Sequence, residues 1–156
     1  MSAAADIEIP KPPAGSAEAE VISAGSQDGF NYVVTSSGVT ITGLDEDGKK
    51  KEKLEIPEQI DNYIVKKIDD MAFDGCNAKE IVLPSTISVL SAGIFNDAKS
   101  LTKVFLLCES LPEVGNNLLE GANVNLKIYV PAARYSNYVT DYFWGAYANH
   151  LESGDY

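Results

Sequence analysis

The chain has 156 residues, of which 45% are apolar, so it can form one domain with a hydrophobic core that needs no metal or disulfide. Its 12 Lys and Arg against 23 Asp and Glu give a formal net charge of -11, which opposes binding to nucleic acid or to an anionic membrane surface. No apolar run approaches the roughly 20 residues that span a bilayer, so we expect no nucleic-acid partner and no membrane insertion. Met1 to Ala5 also lacks the basic start and apolar stretch of a signal peptide.

Residues 1–29 are predicted to form a flexible tail. Ala, Gly, Ser and Pro dominate this segment, and Pro10, Pro12 and Pro13 stand close together. A segment of this composition has too few apolar side chains to repay the entropy of ordering its backbone. We therefore expect a single domain over residues 30–156.

Residues 30–53 are predicted to form a β-hairpin cap at one end of this domain. Phe30 to Thr35 and Gly38 to Thr42 are β-branched and aromatic runs, and the short turn between them is typical of a hairpin. The run from Lys51 to Ile56 is expected to be the third strand of this unit. It is also expected to be the first strand of the repeated region that follows.

A short apolar pattern occurs four times within residues 54–131. It begins at Leu54, Ile81, Val104 and Ile128, a nearly constant spacing that falls in the range of repeat proteins. A second apolar pattern keeps the same period, in the pairs Ile68 and Phe73, Leu90 and Phe95, and Val114 and Leu119. Such a period is typical of a solenoid, in which each repeat buries its edges against its neighbours. The two patterns together predict an α/β repeat fold, a short solenoid of three to four coils with parallel strands.

Alternation along each repeat strand separates inward from outward side chains. The inward positions begin at Leu54, Ile81, Val104 and Ile128, and the outward positions are Glu55, Val82, Phe105 and Tyr129. We call the outward side of these strands the strand face; Lys53, Glu80, Lys103 and Lys127 flank its central row. Aromatic and cationic side chains at such a position are enriched at binding hot spots. The candidate partner-binding residues are therefore Val82, Lys103, Phe105, Lys127 and Tyr129.

Residues 132–156 are predicted to form a helical and aromatic cap. Pro131 suits the first position of a helix, and the aromatic residues that follow are Tyr135, Tyr138, Tyr142, Phe143, Trp144 and Tyr147. Large aromatic side chains cover much area per residue, which favours a cap over the open edge of the last repeat. The alternative is a surface on which a sugar ring stacks, formed by Tyr142, Trp144 and Tyr147.

No catalytic, metal or cofactor site is predicted. His150 is the one histidine, and it has no zinc-ligand partner at a useful spacing. Neither Cys76 nor Cys108 lies in a motif typical of a nucleophile. Cys76 occupies the same small inward position as Ala98 and Ala122, which is typical of a buried thiol. The sequence does not decide whether the two cysteines form a disulfide.

Three segments resemble the BspA-like, or treponemal-type, leucine-rich repeat family. They are Ile56 to Ile60, Val65 to Cys76 and Ile81 to Pro84, and the most specific part is Ala72-Phe73-Asp74-Gly75-Cys76. Repeat counting extends the resemblance over roughly residues 30–151. The resemblance implies a leucine-rich-repeat solenoid without shared catalytic residues. It also implies a secreted or surface-attached protein, usually bacterial, that binds host proteins, matrix proteins or other cells.

The leading hypothesis is a non-catalytic protein-binding or adhesion module that is extracellular or on the cell surface. Its partner would be a host, matrix or other cell-surface protein bound on the strand face. One alternative is a carbohydrate-binding module that uses the C-terminal aromatic residues. The other is a structural domain that self-associates through the strand face.

Overall fold

The computed structural model describes residues 20–154 and residue 156. This part of the chain contains two β-sheets, joined by turns and a few short helices. In chain order the strands are β1 (Val21–Gln27), β2 (Phe30–Thr35), β3 (Gly38–Leu44), β4 (Lys53–Glu55), β5 (Gln59–Ile60), β6 (Tyr63–Ile68), β7 (Glu80–Leu83), β8 (Val89–Leu90), β9 (Lys103–Leu106), β10 (Glu113–Val114), β11 (Lys127–Val130) and β12 (Leu151–Ser153). The α-helices are α1 (Glu46–Lys50) and α2 (Tyr135–Thr140), and 3₁₀ turns span Ala132–Arg134 and Trp144–His150.

The four predicted repeat strands lie side by side in one parallel sheet, which we call the repeat sheet. Its strand order is β12-β11-β9-β7-β4. Ile81 pairs with Leu54 on one side and with Val104 on the other, and Val104 pairs in turn with Ile128. These four side chains are all buried. The register and the inward face predicted from the repeat spacing are therefore confirmed.

The second sheet contains the other apolar pattern of each repeat. Its order is β1-β2-β3-β6-β8-β10, with β5 paired to β6. Leu90 in β8 pairs with Ile68 in β6 and with Val114 in β10. The chain thus alternates between the two sheets from β6 to β11. Apolar side chains from both sheets meet in one buried cluster, which explains why two apolar patterns keep one period.

The turns that follow β6, β8 and β10 share two left-handed positions. The first is Met71, Gly93 and Asn117, with φ of 59°, 63° and 56°, and the second is Gly75, Asp97 and Gly121, with φ of 65°, 55° and 73°. Glycine adopts a positive φ without the steric cost that a Cβ brings, which accounts for Gly75 in the most specific segment of the repeat.

Main-chain hydrogen bonds connect each of these turns to the next. The N–H groups of Met71, Phe73 and Gly75 donate to Ala92, Ile94 and Asn96 at 3.0, 3.2 and 2.9 Å. Gly93, Phe95 and Asp97 donate in the same way to Asn116, Leu118 and Glu120. The Phe73 and Phe95 rings stack 6.2 Å apart inside the turns. The two junctions between these three turns are therefore built from the same main-chain hydrogen bonds.

The N-terminal unit differs from its prediction in two ways. The hairpin strands are present as β2 and β3, but their third partner is β1 and not β4, which pairs with β7 in the other sheet. β1 lies within the segment predicted to be a flexible tail, and all seven of its residues are exposed. Pairing with β2, rather than burial of side chains, accounts for this strand, so its sequence carries little apolar signal. Residues 1–19 of the predicted tail lie outside the described residues.

The C-terminal unit contains one strand that was not predicted. The helix α2 and the aromatic 3₁₀ turn are present where a helical and aromatic cap was expected, but β12 then adds a fifth parallel strand to the repeat sheet. Leu151 pairs with Ile128, and its side chain is buried. The interval from Ile128 to Leu151 equals the interval from Ile81 to Val104, so β12 continues the period of the repeats.

Candidate functional site

The outward side chains of the repeat sheet form two rows across the strand face. One row runs through Lys53, Glu80, Lys103 and Lys127, and the other runs through Glu55, Val82, Phe105, Tyr129 and Glu152. Neighbours in a row are paired residues of adjacent strands, which lie about 4.8 Å apart. Side chains that are far apart in sequence are thereby held on one rigid surface.

An aromatic pair lies near the centre of the strand face. Phe105 and Tyr129 are paired residues of β9 and β11, and their rings stack 5.0 Å apart with an interplanar angle of 17°. Both side chains are half-buried. Cross-strand aromatic pairs of this kind stabilise the sheet and also present a flat apolar surface to solvent.

Tyr156 lies on this surface and was not among the predicted site residues. Its ring contacts Phe105, with centroids 5.0 Å apart and an interplanar angle of 58°. The Nζ of Lys53 donates a hydrogen bond to the Tyr156 hydroxyl, which in turn donates to Oε2 of Glu55 at 3.3 Å. Gly154 passes close to Tyr129, where a Cβ would lie 3.0 Å from the ring.

Val82 is not an exposed partner-binding residue, contrary to its prediction. Its side chain belongs to the outward row, but it is only 4% exposed and is not part of the main buried cluster. Glu55 and Phe105 flank Val82 in that row, and Tyr156 contacts both of them. Tyr156 thus contacts the residues on both sides of Val82, whose own side chain is buried.

The charges on the strand face are nearly balanced on a strongly acidic chain. Lys53 pairs with Glu80 and Lys127 pairs with Glu152, each at 3.5 Å between Nζ and carboxylate oxygen. The hydrogen bond to Tyr156 raises the pKa of Lys53, and the charge of Glu80 adds to that increase. Lys103 has no carboxylate oxygen within 4.0 Å of its Nζ in residues 20–154 or residue 156. Within that part of the chain, Lys103 is therefore the lysine of the strand face without a carboxylate partner.

Trp144 is not available for sugar stacking, contrary to its prediction. It is 1% exposed, its Nε1 donates to the Pro112 carbonyl at 2.8 Å, and its ring meets the edge of Tyr138 at 5.3 Å. Tyr147 is partly buried, and its hydroxyl accepts a hydrogen bond from the Leu118 N–H at 3.4 Å. These side chains hold the C-terminal unit against the preceding repeats.

Tyr142 remains on the surface, together with Phe143. They are 87% and 62% exposed, and their rings meet edge to face 4.9 Å apart. They border a shallow open hollow of about 410 Å³ that Val114, Gly115 and Tyr147 also line. Phe143 belongs to the predicted aromatic cluster, although the carbohydrate set named from the sequence omitted it.

Cys76, Cys108 and His150 lie in environments typical of residues that stabilise the fold. Cys76 and Cys108 are both free and buried, so the disulfide that the sequence left open is not formed. The Cys108 thiol lies 3.5 and 3.4 Å from the carbonyl oxygens of Pro84 and Ile87, to which it can donate. The Nδ1 of His150 lies 2.8 Å from the Leu126 carbonyl oxygen. Within the described residues, His, Cys, Asp and Glu side chains form no cluster of three that could hold a metal ion, and no helix has the length and apolar composition to cross a bilayer.

Comparison with known proteins adds two findings to this geometry. Residues 48–144 match the BspA type leucine rich repeat region, with six copies of the repeat. A crystal structure of a leucine-rich repeat protein from Bacteroides capillosus superposes with a TM-score of 0.52 and 16% sequence identity, over 69% of this chain and 98% of that chain. None of the curated proteins compared with the chain matches it. The crystal structure supports the fold alone, whereas the repeat match extends over more than half of the sequence. The chain therefore belongs to the BspA type leucine-rich repeat family.

Proposed function

We propose that the chain is a non-catalytic protein-binding module that contacts its partner through the strand face. The observation that carries this proposal is the stacked Phe105 and Tyr129 pair with the unpaired Lys103 beside it in the described part of the chain. Membership of a leucine-rich repeat family supports the same use, since repeat folds of this class present extended binding surfaces. Val82 lies in the same outward row but is only 4% exposed.

The rigidity of the repeat sheet favours recognition at this place. Phe105 and Tyr129 are fixed by strand pairing and by stacking on each other, so binding costs little further side-chain entropy. Aromatic anchors that are already ordered are the residues at which binding energy concentrates. Lys103 and Lys127 then supply charge at the rim of the same patch.

A pair of matched double variants tests the strand face. We expect Phe105→Ser with Tyr129→Ser to weaken binding to a protein partner at least about thirtyfold, which corresponds to the roughly 2 kcal/mol lost at one hot spot. Tyr142→Ser with Phe143→Ser is the control, because it removes two exposed aromatic rings outside the strand face. Surface plasmon resonance against a panel of extracellular-matrix and host-surface proteins provides the measurement. Equal binding by both variants and the unmodified protein would exclude the strand face.

We further propose that the module acts in adhesion outside the cell or at the cell surface. The support is the family, whose members are often associated with bacterial surfaces. Protease treatment of intact source cells, followed by mass spectrometry of the released peptides, tests this location. Peptides from residues 20–154 should appear before cell lysis. Their appearance only after lysis would place the protein inside the cell and redirect the partner search.

A second candidate function is carbohydrate binding at the exposed Tyr142 and Phe143. The specific observation is the hollow of about 410 Å³ beside these rings, a shape that could receive one sugar against an aromatic face. The same two double variants test this candidate, and the variant expected to lose binding is now the other one. On a glycan array, the Tyr142 and Phe143 variant should lose signal while the Phe105 and Tyr129 variant keeps it. A glycan array without signal for the unmodified protein would remove this candidate.

Self-association through the strand face is the structural alternative. Sedimentation velocity at several protein concentrations separates it from the other two functions, because a strictly monomeric protein does not pair its strand face with another copy. A concentration-dependent dimer that the Phe105 and Tyr129 variant abolishes would favour this alternative.

The strand order also supports a proposal about architecture. We infer that the strands from β4 to β11 mark three to four coils of a short leucine-rich-repeat solenoid, with β1 to β3 at one end and α2 with the aromatic 3₁₀ turn at the other. Terminal units of a solenoid shield its open edges. Removal of residues 132–156 should therefore cause aggregation, which light scattering would detect. A soluble monomer after this truncation would argue against a capping role.

A further inference from the structure

We propose that the strand face recognises a tyrosine side chain next to a carboxylate in an extended segment of the partner, and that Tyr156 occupies this tyrosine position within the chain itself. The inference rests on the proposed function and specifies the chemistry of the partner. Tyr156 is informative because its contacts with the strand face involve its side chain, which a partner segment could present in the same way.

The rings of Phe105 and Tyr129 form the surface that contacts the tyrosine ring, and we call this surface the seat. The Tyr156 ring is tilted by 58° against Phe105, which itself stacks on Tyr129, and both centroid distances are 5.0 Å. Tilted and stacked rings at this distance attract one another beyond the area that they bury. A planar aromatic side chain therefore fits this seat better than a branched aliphatic one.

The polar part of the position selects a phenol. Lys53 donates to the Tyr156 hydroxyl and Glu55 accepts from it, so the hydroxyl is used both as an acceptor and as a donor. Phenylalanine would leave the ammonium of Lys53 and the carboxylate of Glu55 without this partner. Hydrogen bonds to charged groups are stronger than those between neutral groups, so the position discriminates between tyrosine and phenylalanine.

The charge beside the position indicates a carboxylate in the partner. Lys103 precedes Phe105 by two residues on the same strand and therefore projects from the same face about 7 Å along it. Its ammonium lacks the carboxylate partner that Lys53 and Lys127 have in the described part of the chain. The net charge of -11 opposes an acidic partner at long range, so this attraction acts only on a carboxylate placed locally beside the tyrosine.

Tyr156 can leave the strand face and make room. Its side chain is 54% exposed, so it lies on the surface instead of being enclosed, and it follows β12, which ends at Ser153. A tethered group so close to its site competes at an effective concentration in the millimolar range. The unmodified protein should therefore bind a tyrosine segment more weakly than a variant without this side chain.

A peptide with the sequence of residues 151–156 serves as the probe. It carries fluorescein on its N-terminal amine and is amidated at its C-terminus, so that neither peptide terminus is charged. We expect fluorescence anisotropy to show at least about tenfold tighter binding to the Tyr156→Ala protein than to the unmodified protein, because the internal competitor is gone. Phe105→Ser in the Tyr156→Ala background should abolish this binding. The fluorescence of the buried Trp144 verifies that both variants are folded.

Two altered peptides test the chemistry of recognition. Replacement of the peptide tyrosine by phenylalanine should weaken binding to the Tyr156→Ala protein about fivefold, since the hydrogen bonds to Lys53 and Glu55 are lost. Replacement of the peptide acids by their amides should weaken binding less, and Lys103→Gln in the protein should remove that difference. Equal affinity for the tyrosine and phenylalanine peptides would overturn the phenol selectivity and with it the proposal.

A second peptide series separates this inference from the proposed function. Peptides with leucine, isoleucine or tryptophan in place of tyrosine are measured against the same proteins. If one of them binds in a manner that Phe105→Ser abolishes while the tyrosine peptide does not bind, tyrosine recognition is wrong and the strand face remains a binding surface. If no peptide binds and the Phe105 and Tyr129 double variant keeps its protein partner, both proposals are wrong.

Discussion

Two aromatic clusters of this molecule have opposite environments. On the strand face, Phe105 stacks on Tyr129, Tyr156 is tilted against Phe105, and all three stay partly open to solvent. In the C-terminal unit, Tyr138 and Trp144 meet edge to face, are fully buried, and donate hydrogen bonds to main-chain carbonyls. The same residue types thus hold the fold together in one place and are available for binding in the other.

This contrast indicates for which aromatic residues the sequence predicts whether the side chain is exposed or buried. A residue in a repeat strand has a side fixed by alternation, so Phe105 and Tyr129 could be placed on the outward side. A residue in a short turn has no such rule, and the orientation of Trp144 depends on Pro112, which is 32 residues away. We therefore expect large stability effects in the buried cluster and small ones on the strand face.

The largest effect should come from the buried cluster itself. We expect Trp144→Ala to lower the free energy of unfolding by about 3–5 kcal/mol, as large-to-small changes in a core do. Tyr142→Ala, two residues earlier and highly exposed, should change it by less than about 0.5 kcal/mol. Urea unfolding followed by circular dichroism measures both variants. Similar losses for the two would contradict the contrast between the clusters.

The reactivity of the Cys108 thiol, which lies next to the buried cluster, should report how rarely that cluster opens. Burial raises the pKa of Cys108 to about 12, so the thiol remains protonated at pH 8 and the thiolate forms only as the pH approaches that value. We expect its reaction with a disulfide reagent at pH 8 to be at least about a hundredfold slower in the native protein than in urea, because the thiolate is the nucleophile. A Cys76→Ala background isolates the signal. Fast native reaction would mean that the cluster opens readily.

A single hydroxyl gives a smaller test of the same contrast. The Tyr138 hydroxyl donates to the Cys108 carbonyl at 2.8 Å in the buried cluster. We expect Tyr138→Phe to lower the free energy of unfolding by about 1–2 kcal/mol, because it leaves a buried acceptor without its donor. Tyr129→Phe on the strand face is the matched control and should be close to neutral. A neutral result for Tyr138→Phe would show that water replaces the lost donor.

The smallest expected effect is the coupling energy between the stacked rings of Phe105 and Tyr129. A double-mutant cycle of Phe105→Ala and Tyr129→Ala should give a coupling energy of about 0.5–1 kcal/mol, the range for cross-strand aromatic pairs. Thermal unfolding of the two single variants and the double variant provides the values. A coupling near zero would mean that the two rings are adjacent without stabilising each other.

The repeat sheet could be predicted because its buried side chains produce a regular apolar spacing in the sequence. Leu54, Ile81, Val104 and Ile128 must point inward, and their spacing alone is therefore sufficient to define the register of the sheet. Leu151 carries the same signal at the same interval, but its strand is only three residues long. Recognition of that interval would have added Glu152, which pairs with Tyr129, to the predicted outward row.

Other parts of the structure depend on contacts that produce no such spacing. β1 is exposed along its whole length, so its position follows from the backbone of β2 and not from its own side chains. Val82 is only 4% exposed, although alternation places it on the outward side of its strand. Partner residues remain predictions, because alternation predicts which side chains face outward but not what binds them.

The hydrogen bonds between successive turns have a consequence for how this chain can change over generations. Because Met71, Phe73 and Gly75 donate to their neighbours in the same pattern as Gly93, Phe95 and Asp97, a gene that loses or duplicates one whole repeat brings compatible donors and acceptors together again. Both end units would keep their contacts with the repeats beside them. Such an event would add or remove one pair of outward side chains on the strand face, so a lineage could alter its binding surface in single steps without inventing a new fold.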